Sequence, residues 1–348
     1  MLFFDRPPSS RRRPRRRGRR ILAGIACVVL LMVGAGVGAV YYVTERLASN
    51  VSRVPDAFRG LDATSRPGDT DALTFLLVGT DTRSDVPTTG EAADLGVDAG
   101  SERSDVLMLA RIDPSRTQAA VVSIPRDSWV DIPGHGRNKI NAAYAFGGPS
   151  LLIRTVEQLT GNRIDHFAVI DFAGFRSMVD AVGGIDVRVA EASSNDGVQF
   201  RQGLNHLDGR EALAYVRQRY DLPRGDIDRA QRQQNALRAL LDKAVSGGLL
   251  TDPAQLYQLL DAVSRSMSVD DTLSNGGIRS LGVEMRGLRP SAVTFVGAPV
   301  AGLGREGPQS VVYLDGNRTA ELWDALRTDG LVAYAQRNPG DSLGHTPP

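Results

Sequence analysis

The sequence predicts an α/β fold: a three-layer α/β/α sandwich around a mixed central sheet, preceded by a single N-terminal transmembrane helix. Three observations support this. From residue 71 onward, short apolar runs alternate with amphipathic stretches, a pattern typical of layered α/β domains. Hydrophobic residues make up 42% and charged residues 23% of the 348-residue chain, which is ordinary for a globular protein. One uncharged stretch near the N-terminus is long enough to cross a membrane.

That uncharged stretch covers residues 21–43, which we predict to be the transmembrane helix. A helix of this length spans about 34 Å, enough for a hydrocarbon core of about 30 Å. The tail before it, residues 1–20, contains nine arginines, so the positive-inside rule keeps the N-terminus in the cytoplasm. We therefore expect a single-pass protein of the cell membrane with an extracytoplasmic domain. A cleaved signal peptide is the alternative, although its apolar region normally has only about 7–15 residues.

Local patterns predict one catalytic domain at residues 71–330, between a polar extracytoplasmic stalk at 44–70 and a flexible tail at 331–348. The spacing of Asp208 and Glu211 predicts a capping box at the start of one helix. Buried strands are predicted at 73–78, 106–110, 119–124, 167–170, 185–189 and 292–296. Helices are predicted at 150–159, 172–182, 208–214, 227–245, 254–264, 276–285 and 319–327.

Composition excludes several classes of function. Nine of the 41 basic residues and one of the 40 acidic residues lie in the first 20 positions, so the remainder carries 39 acidic against 32 basic residues. A net-negative body argues against nucleic-acid binding. The only cysteine, Cys27, excludes an intrachain disulfide and any metal site built from several cysteines.

Two carboxylates stand at the ends of predicted strands. Asp81 follows the first strand, and Asp105 stands at the start of the second. If these strands pair antiparallel, both carboxylates reach the same edge of the sheet. Oxygen ligands of this kind suit Mg²⁺. The connection between Thr82 and Ser104 is long for a compact domain, which favours a functional loop.

Arginines form the second part of the predicted site. Arg217 and Arg219 point the same way only if the chain is extended there, so the preceding helix should end near Val216. Such planar cations bind phosphate groups through two hydrogen bonds, and a cluster of them beside a metal suits a pyrophosphate. Ordinary surface ion pairs are the alternative explanation. The candidates are Arg103, Arg126, Arg217 and Arg219, with Arg229, Arg232 and Gln233 on one face of a later helix.

The chain resembles the LytR–CpsA–Psr family of cell-wall enzymes in the segments that carry these residues. The resemblance rests on five ordered motifs, which begin with FLLVGTDTRS and RSDVLMLARIDP and end with GLNHLDGREALAYVRQRYDLPRGDIDRAQRQQ. They lie at residues 75–84, 103–114, 121–148, 166–189 and 203–234.

The resemblance implies an α/β/α sandwich with a hydrophobic pocket for a polyprenyl chain. It implies transfer of a phosphoglycan from a polyprenyl-pyrophosphate carrier to a peptidoglycan acceptor at the cell membrane. It implies Asp81 and Asp105 as ligands of Mg²⁺, or of Mn²⁺ in its place. Asp226 would either orient the arginine pair or assist deprotonation of the acceptor. Arg103, Arg126, Arg217 and Arg219, with Gln233, would hold the pyrophosphate, and Arg83, Lys139, Arg229 and Arg232 lie in matching motifs that would assist binding.

Other functions remain open at this point. The same cluster could serve a polyprenyl-pyrophosphate hydrolase or a non-catalytic protein that binds lipid-linked glycan, whereas transcriptional regulation conflicts with the predicted topology. The residues of the lipid pocket are also open, because each apolar candidate could equally fill the core. These candidates are Leu151, Leu152, Phe172, Phe175, Leu237, Leu240, Leu241, Leu259 and Leu260.

Overall fold

The computed structural model describes residues 41–80, 104–246, 253–344 and 346–347. The chain divides into a unit that ends at Arg46 and a second unit, Leu47–Pro348. Residues 41–46 are helical in the first unit, and residues 47–50 are helical in the second. Within the described ranges no helix combines the length and apolar character that a bilayer crossing requires. The predicted span at 21–43 lies almost entirely outside those ranges.

A mixed seven-stranded sheet forms the centre of the second unit. Its strands are β1 (Ser52–Val54), β2 (Leu73–Thr80), β3 (Ser104–Ile112), β4 (Ala119–Ser123), β7 (His166–Asp171), β12 (Met267–Asp270) and β13 (Val293–Gly297). Their order across the sheet is β1-β12-β7-β2-β3-β4-β13. The pairs β2/β3, β3/β4 and β7/β12 are antiparallel, and the pairs β1/β12, β2/β7 and β4/β13 are parallel. The predicted mixed sheet is therefore confirmed.

Four two-stranded sheets surround the central one. They pair β5 (Trp129–Ile132) with β6 (Gly136–Lys139), β8 (Ile185–Val189) with β11 (Gly203–Leu207), β9 (Ser193–Asn195) with β10 (Val198–Phe200), and β14 (Val300–Glu306) with β15 (Gln309–Leu314).

Beyond residue 50, seven of the helices agree with the predicted ones, with shifts of a few residues at most of their ends, whereas α8 falls in the predicted flexible tail. The helices are α1 (Ala142–Thr160), α2 (Phe172–Ala181), α3 (Gly209–Arg217), α4 (Asp226–Ser246), α5 (Pro253–Ser266), α6 (Asn275–Glu284), α7 (Gly316–Arg327) and α8 (Leu331–Arg337). The capping box of α3 is present, because Asp208 accepts from the Glu211 amide and Glu211 accepts from the Asp208 amide. Helix α1 is kinked at Gly147 and Gly148, so the regular pattern that predicts a helix from residue 150 marks only its second half.

Helices pack on both faces of the sheet, which confirms the layered α/β architecture. On one face α1, α7 and α8 bury Leu152, Leu322 and Tyr334 against the strand residues Leu76 and Leu109. On the other face, side chains of α4 pack near Met108 and Val121, and side chains of α6 pack near Phe75 and Val269. Helices α2 to α5 share a further apolar cluster with β8, β10 and β11.

The predicted domain limits are wrong at both ends. Residues 44–70 are not simply a stalk, because β1 hydrogen-bonds to β12 in the central sheet and Ala57 is fully buried in the core. The tail at 331–348 is not loose either. Tyr334 is fully buried and donates a hydrogen bond to Asp341 at 2.8 Å, and Arg318 holds the same carboxylate at 2.6 Å. Both segments are held by contacts with residues far away in the sequence.

Candidate active site

Strands β2 and β3 pair antiparallel, which is the condition on which the predicted carboxylate site depends, and the pairing brings the ends of the two strands together. The last paired residues are Thr80 and Ser104, and Asp105 follows on β3. Asp105 lines a polar cleft. Three predicted site residues, Asp81, Arg83 and Arg103, belong to the stretch 81–103, which lies outside the described residues.

The polar cleft has a volume of about 410 Å³ and gathers cations from three parts of the chain. Arg126 follows β4, Arg217 and Arg219 stand at the end of α3, and Arg229 lies in the first turns of α4. Gln233 lies one turn after Arg229 on the same face. The cleft is lined by Asp105, Arg126, Phe172, Asn195, Asp196, Val216, Arg217, Arg219, Tyr220, Arg229 and Gln233. Six of the predicted site residues thus share one cleft.

The end of α3 explains how Arg217 and Arg219 reach the same cleft. The helix ends at Arg217, and Gln218 has an extended backbone with φ −59° and ψ 127°. In an extended segment, residues two apart point to the same side, whereas on a helix they diverge. This confirms the expectation that the helix ends at this position.

Burial raises the free energy of the charged arginines in the cleft. Arg126 forms an ion pair with Asp105, and its Nε has no hydrogen-bond partner in the described part of the chain. Burial is the main cause that lowers the pKa of Arg126, the charge of Arg229 lowers it further, and Asp226 opposes both. The pKa of Arg229 is also lowered, again chiefly by burial. A multivalent anion in this cleft would relieve that repulsion.

Two buried carboxyl groups, those of Asp226 and Asp127, lie outside the wall of the cleft and contact its cations or their neighbours. Asp226 contacts Arg229 at 2.8 Å and Arg219 at 3.4 Å, and Lys139 contacts Asp127 at 3.0 Å. Burial, together with the neighbouring Asp127, raises the pKa of Asp226, against the charge of Arg229. Burial would also raise the pKa of Asp127, but hydrogen bonds from Asp226 and Lys139 hold it below its usual value. The contacts with Arg219 and Arg229 are those that the orienting role of Asp226 requires.

Two predicted binding residues occupy other places. Lys139 contacts Asp127 and does not line the cleft. Arg232 is fully buried, and its guanidinium donates to Gln218 at 2.6 Å and to Ser193 at 2.9 Å. Its prediction as a ligand-binding residue therefore needs correction: successive residues of a helix are rotated by about 100°, so Gln233 faces the cleft and Arg232 faces the interior.

An apolar cavity of about 140 Å³ adjoins the cleft. Phe172, Val216 and Gln233 line both spaces, so the cavity and the cleft meet at these three residues. The remaining wall consists of Leu77, Val78, Gly79, Val106, Met108, Ile170, Asp171, Phe175, Met178, Leu237 and Leu240.

Four of the nine apolar candidates for a lipid pocket line this cavity, namely Phe172, Phe175, Leu237 and Leu240. The others fill space elsewhere. Leu151 and Leu152 belong to the core on the opposite face of the sheet, Leu259 is buried among α2 to α5, Leu241 packs near Met108, and Leu260 is 42% exposed.

Sequence reasoning missed several residues of the site. Asn195 and Asp196 reach the cleft from the turn between β9 and β10, where Asp196 and Gly197 have φ of 49° and 76°. An Asp-Gly pair between short strands is a known signal for such a tight turn, so this hairpin could have been found. Tyr220 and Asp127 gave no comparable signal.

The described residues fit part of a site for a hard divalent cation. Asp105 supplies a carboxylate to the cleft, and the buried hydroxyls of Thr80 and Ser104, which pair at the same strand ends, have no hydrogen-bond partner among the described residues. Such oxygen donors suit Mg²⁺. No group of three or more His, Cys, Asp or Glu residues with metal-binding geometry occurs within the described ranges.

Comparison with known proteins shows the family to which the chain belongs. The model of the LytR_cpsA_psr family matches residues 42–328. The cell wall biosynthesis protein LcpA of Corynebacterium glutamicum is 34% identical over 336 residues, which cover 86% of this chain and 63% of LcpA. The polyisoprenyl-teichoic acid–peptidoglycan teichoic acid transferase TagU of Oceanobacillus iheyensis is 35% identical over 249 residues, 69% of this chain and 73% of TagU. The chain thus spans less than two thirds of LcpA.

A solved structure of TagT bound to LI-WTA is also similar. It has a TM-score of 0.57 and 25% sequence identity, and the match covers 80% of this chain and 98% of TagT. The mixed sheet between helical layers is therefore similar to the fold of TagT.

Proposed function

Since the chain belongs to the LytR_cpsA_psr family, we propose that it is a membrane-anchored phosphotransferase. It would move a phosphoglycan from a polyprenyl-pyrophosphate carrier to peptidoglycan. The name of the TagU relative describes a transfer of this kind, from a polyisoprenyl-linked teichoic acid to peptidoglycan.

The observation that carries the proposal is the junction between the apolar cavity and the cationic cleft at Phe172, Val216 and Gln233. A ligand that fills both must be apolar at one end and anionic next to it. A prenyl pyrophosphate has this structure, whereas a soluble sugar phosphate would leave the cavity unfilled. Protein interiors rarely keep an apolar void of this size without a ligand that uses it.

The proposed reaction is a displacement at phosphorus. The oxygen of an acceptor hydroxyl bonds to the glycan-side phosphorus and releases its proton to water, the bridging P–O bond breaks, and prenyl monophosphate leaves with the electron pair. Arg217, Arg219 and Arg229 would bind the phosphate oxygens and stabilise the charge that develops on them. Asp226 contacts two of these arginines and would keep their planes in place.

A divalent cation would be held by Asp105 and, by its place in the matching motif, Asp81. Mg²⁺ bound there, or Mn²⁺ in its stead, supplies a positive charge that lowers the repulsion between the phosphates and an incoming oxygen. The predicted segment at 21–43 would hold the domain at the outer face of the membrane, where a lipid-linked donor is accessible.

The test uses the full-length protein in detergent with a glycosyl prenyl-pyrophosphate donor and a peptidoglycan fragment, with and without Mg²⁺. Prenyl monophosphate release and the mass of the acceptor are measured. We expect metal-dependent release and a phosphoglycan added to the acceptor. Arg217→Ala and Arg219→Ala should each lower turnover by about 10²–10³-fold, as the loss of one charge-stabilising donor does elsewhere.

Arg337→Ala is the matched control, because Arg337 is exposed and pairs with Glu321 on the surface. Its turnover should equal that of the wild type. Release without a gain in acceptor mass would instead identify a hydrolase. Lipid binding without any release would identify a non-catalytic binding protein, and either result would refute the transferase.

A further inference from the structure

We propose that Arg232, Gln218 and Ser193 form a positioning unit that sets the geometry of the arginine pair Arg217 and Arg219. The inference rests on the proposed function, because it assigns the unit a role in binding the pyrophosphate. None of the three side chains belongs to the wall of the cleft.

Arg232 is the centre of the unit. It is fully buried, and its Nη1 donates to Oε1 of Gln218 at 2.6 Å while its Nη2 donates to Oγ of Ser193 at 2.9 Å. Its guanidinium also lies over the rings of Tyr215 and Phe200, at 4.6 and 5.6 Å from their centroids. Burial lowers the pKa of Arg232. Burying a cation costs free energy that burying an apolar residue of equal size does not. Stability alone therefore does not explain an arginine at this position.

Gln218 connects these hydrogen bonds to the backbone between Arg217 and Arg219. Its side chain is fully buried, accepts from Arg232 and from the Ser193 hydroxyl at 3.3 Å, and donates to the carbonyl of Tyr220 at 3.2 Å. Gln218 stands between Arg217 and Arg219, and its extended backbone ends α3. With its side chain fixed on both sides, the chain from 217 to 220 has little freedom to continue the helix or to rotate.

The unit also joins three walls of the cleft. Ser193 begins β9, whose hairpin carries Asn195 and Asp196; Gln218 follows α3; and Arg232 belongs to α4 next to Gln233. Asn195 donates to the carbonyl of Ala214 at 2.8 Å, which ties the hairpin to α3 a second time. A displacement of Arg232 would therefore move both arginines of the pair relative to Arg229. Misplacement of a binding group by about 1 Å can cost about 10²-fold in rate.

The alternative is that Arg232 only stabilises the fold, and Arg111 offers a matched control for it. Arg111 is also buried, at 5% exposure, and donates to Asp329 at 2.7 Å, to Thr74 at 3.2 Å and to the carbonyl of Arg327 at 3.1 Å. It does not line the cleft. Lysine at either position keeps the charge and loses the planar fork.

The experiment compares full-length wild type, Arg232→Lys, Ser193→Ala and Arg111→Lys. Each is measured for its melting temperature, its Kd for inorganic pyrophosphate, and kcat and KM in the transfer assay. We expect Arg232→Lys to weaken pyrophosphate binding about 10-fold and to lower kcat about 10- to 100-fold. Ser193→Ala should shift both in the same direction by about 3-fold, because it removes the hydrogen bonds of Ser193 with Arg232 and Gln218 but keeps the direct bond between Arg232 and Gln218. Arg111→Lys should lower the melting temperature and leave Kd and kcat within about 2-fold of wild type.

An Arg232→Lys protein that is less stable, but has the Kd and kcat of Arg111→Lys, would overturn the proposal. If Arg232→Lys does not fold, Ser193→Ala decides in the same way. A wild type that binds pyrophosphate without transferring glycan would refute the proposed function alone, and the Kd values would still judge the positioning unit. A wild type that does not bind pyrophosphate would refute the unit as well.

Discussion

The two faces of the central sheet carry similar apolar residues, but only one face is fully covered by helices. Strands β2 and β3 send Leu76 and Leu109 into a core in which both side chains are fully buried by α1 and α7. From the same strands Leu77 and Met108 point to the other face and line a cavity. One face is filled by the protein itself. The other keeps apolar space beside a charged cleft.

This difference shows what an apolar pattern encodes. A run of leucine, valine and methionine on two strands indicates that the side chains avoid water, but it does not indicate whether protein or ligand covers them. Here the distinction depends on the helices. Helix α1 packs tightly on its face, whereas α2 and α4 leave a gap between Phe172, Phe175 and Leu237.

The largest expected effect is a loss of stability on the filled face. Leu109→Ala should lower the free energy of unfolding by about 2–5 kcal/mol, because it removes apolar contacts and leaves a new void. Leu237→Ala, at the wall of the existing cavity, should cost less than about 2 kcal/mol because fewer contacts are lost. Denaturant unfolding measures both. Equal losses would mean that the two faces are packed alike.

A bulky side chain in the cavity should act on binding rather than on stability. Leu237→Trp occupies space that the prenyl chain of the donor would use, so we expect a Kd for a prenyl pyrophosphate about 10-fold higher, or about 1.4 kcal/mol. Val283→Trp, at an exposed position, is the control and should bind as the wild type does. Unchanged affinity in Leu237→Trp would show that the lipid binds elsewhere.

The smallest effects concern the carboxyl pair that supports the arginines. The pKa of Asp226 is raised above its ordinary 3.8, so the folded protein holds this proton longer than the unfolded chain, and stability falls as the pH rises through that window. Asp226→Asn should remove this fall. The pKa of Asp127 is lowered, so its stabilising contribution is present above 3.8 and is lost as the pH falls below it.

Asp127→Asn should therefore reduce stability at neutral pH by about 1 kcal/mol, in the range of one buried hydrogen bond. Thermal unfolding of both variants between roughly pH 3 and pH 8, where carboxyl groups titrate, would check whether the two pH dependences of stability have opposite signs. If Asp226→Asn lost as much stability at neutral pH as Asp127→Asn, the pKa of Asp226 would not be the raised one of the pair.

Much of the fold could be predicted because it depends on local sequence. The capping box at Asp208 and Glu211 appears as expected, and the antiparallel pairing of the first two predicted strands places Asp105 at the cleft. Strand β1 could not be predicted. It has three residues and pairs with β12 more than 200 positions later, so nothing in its own pattern distinguishes it from a polar linker.

The site was predicted where one helical face or one extended segment was enough. Arg217 and Arg219 follow from the end of α3, and Arg229 and Gln233 from their spacing on α4. Arg232 has the same type of spacing relative to Arg229, but the helix turns it inward. Spacing gives the angle between side chains and leaves open which one faces the cleft, because that depends on how α4 packs.

Strand β1 has a consequence for shortened forms of the protein. It is the outermost strand of the sheet and covers the edge of β12. A fragment cut at residue 71, where the local pattern of the domain begins, would lose this cover and leave the amides and carbonyls of β12 exposed. Open strand edges template pairing between copies, so such a fragment should aggregate, whereas one that begins before Ser52 should stay dispersed.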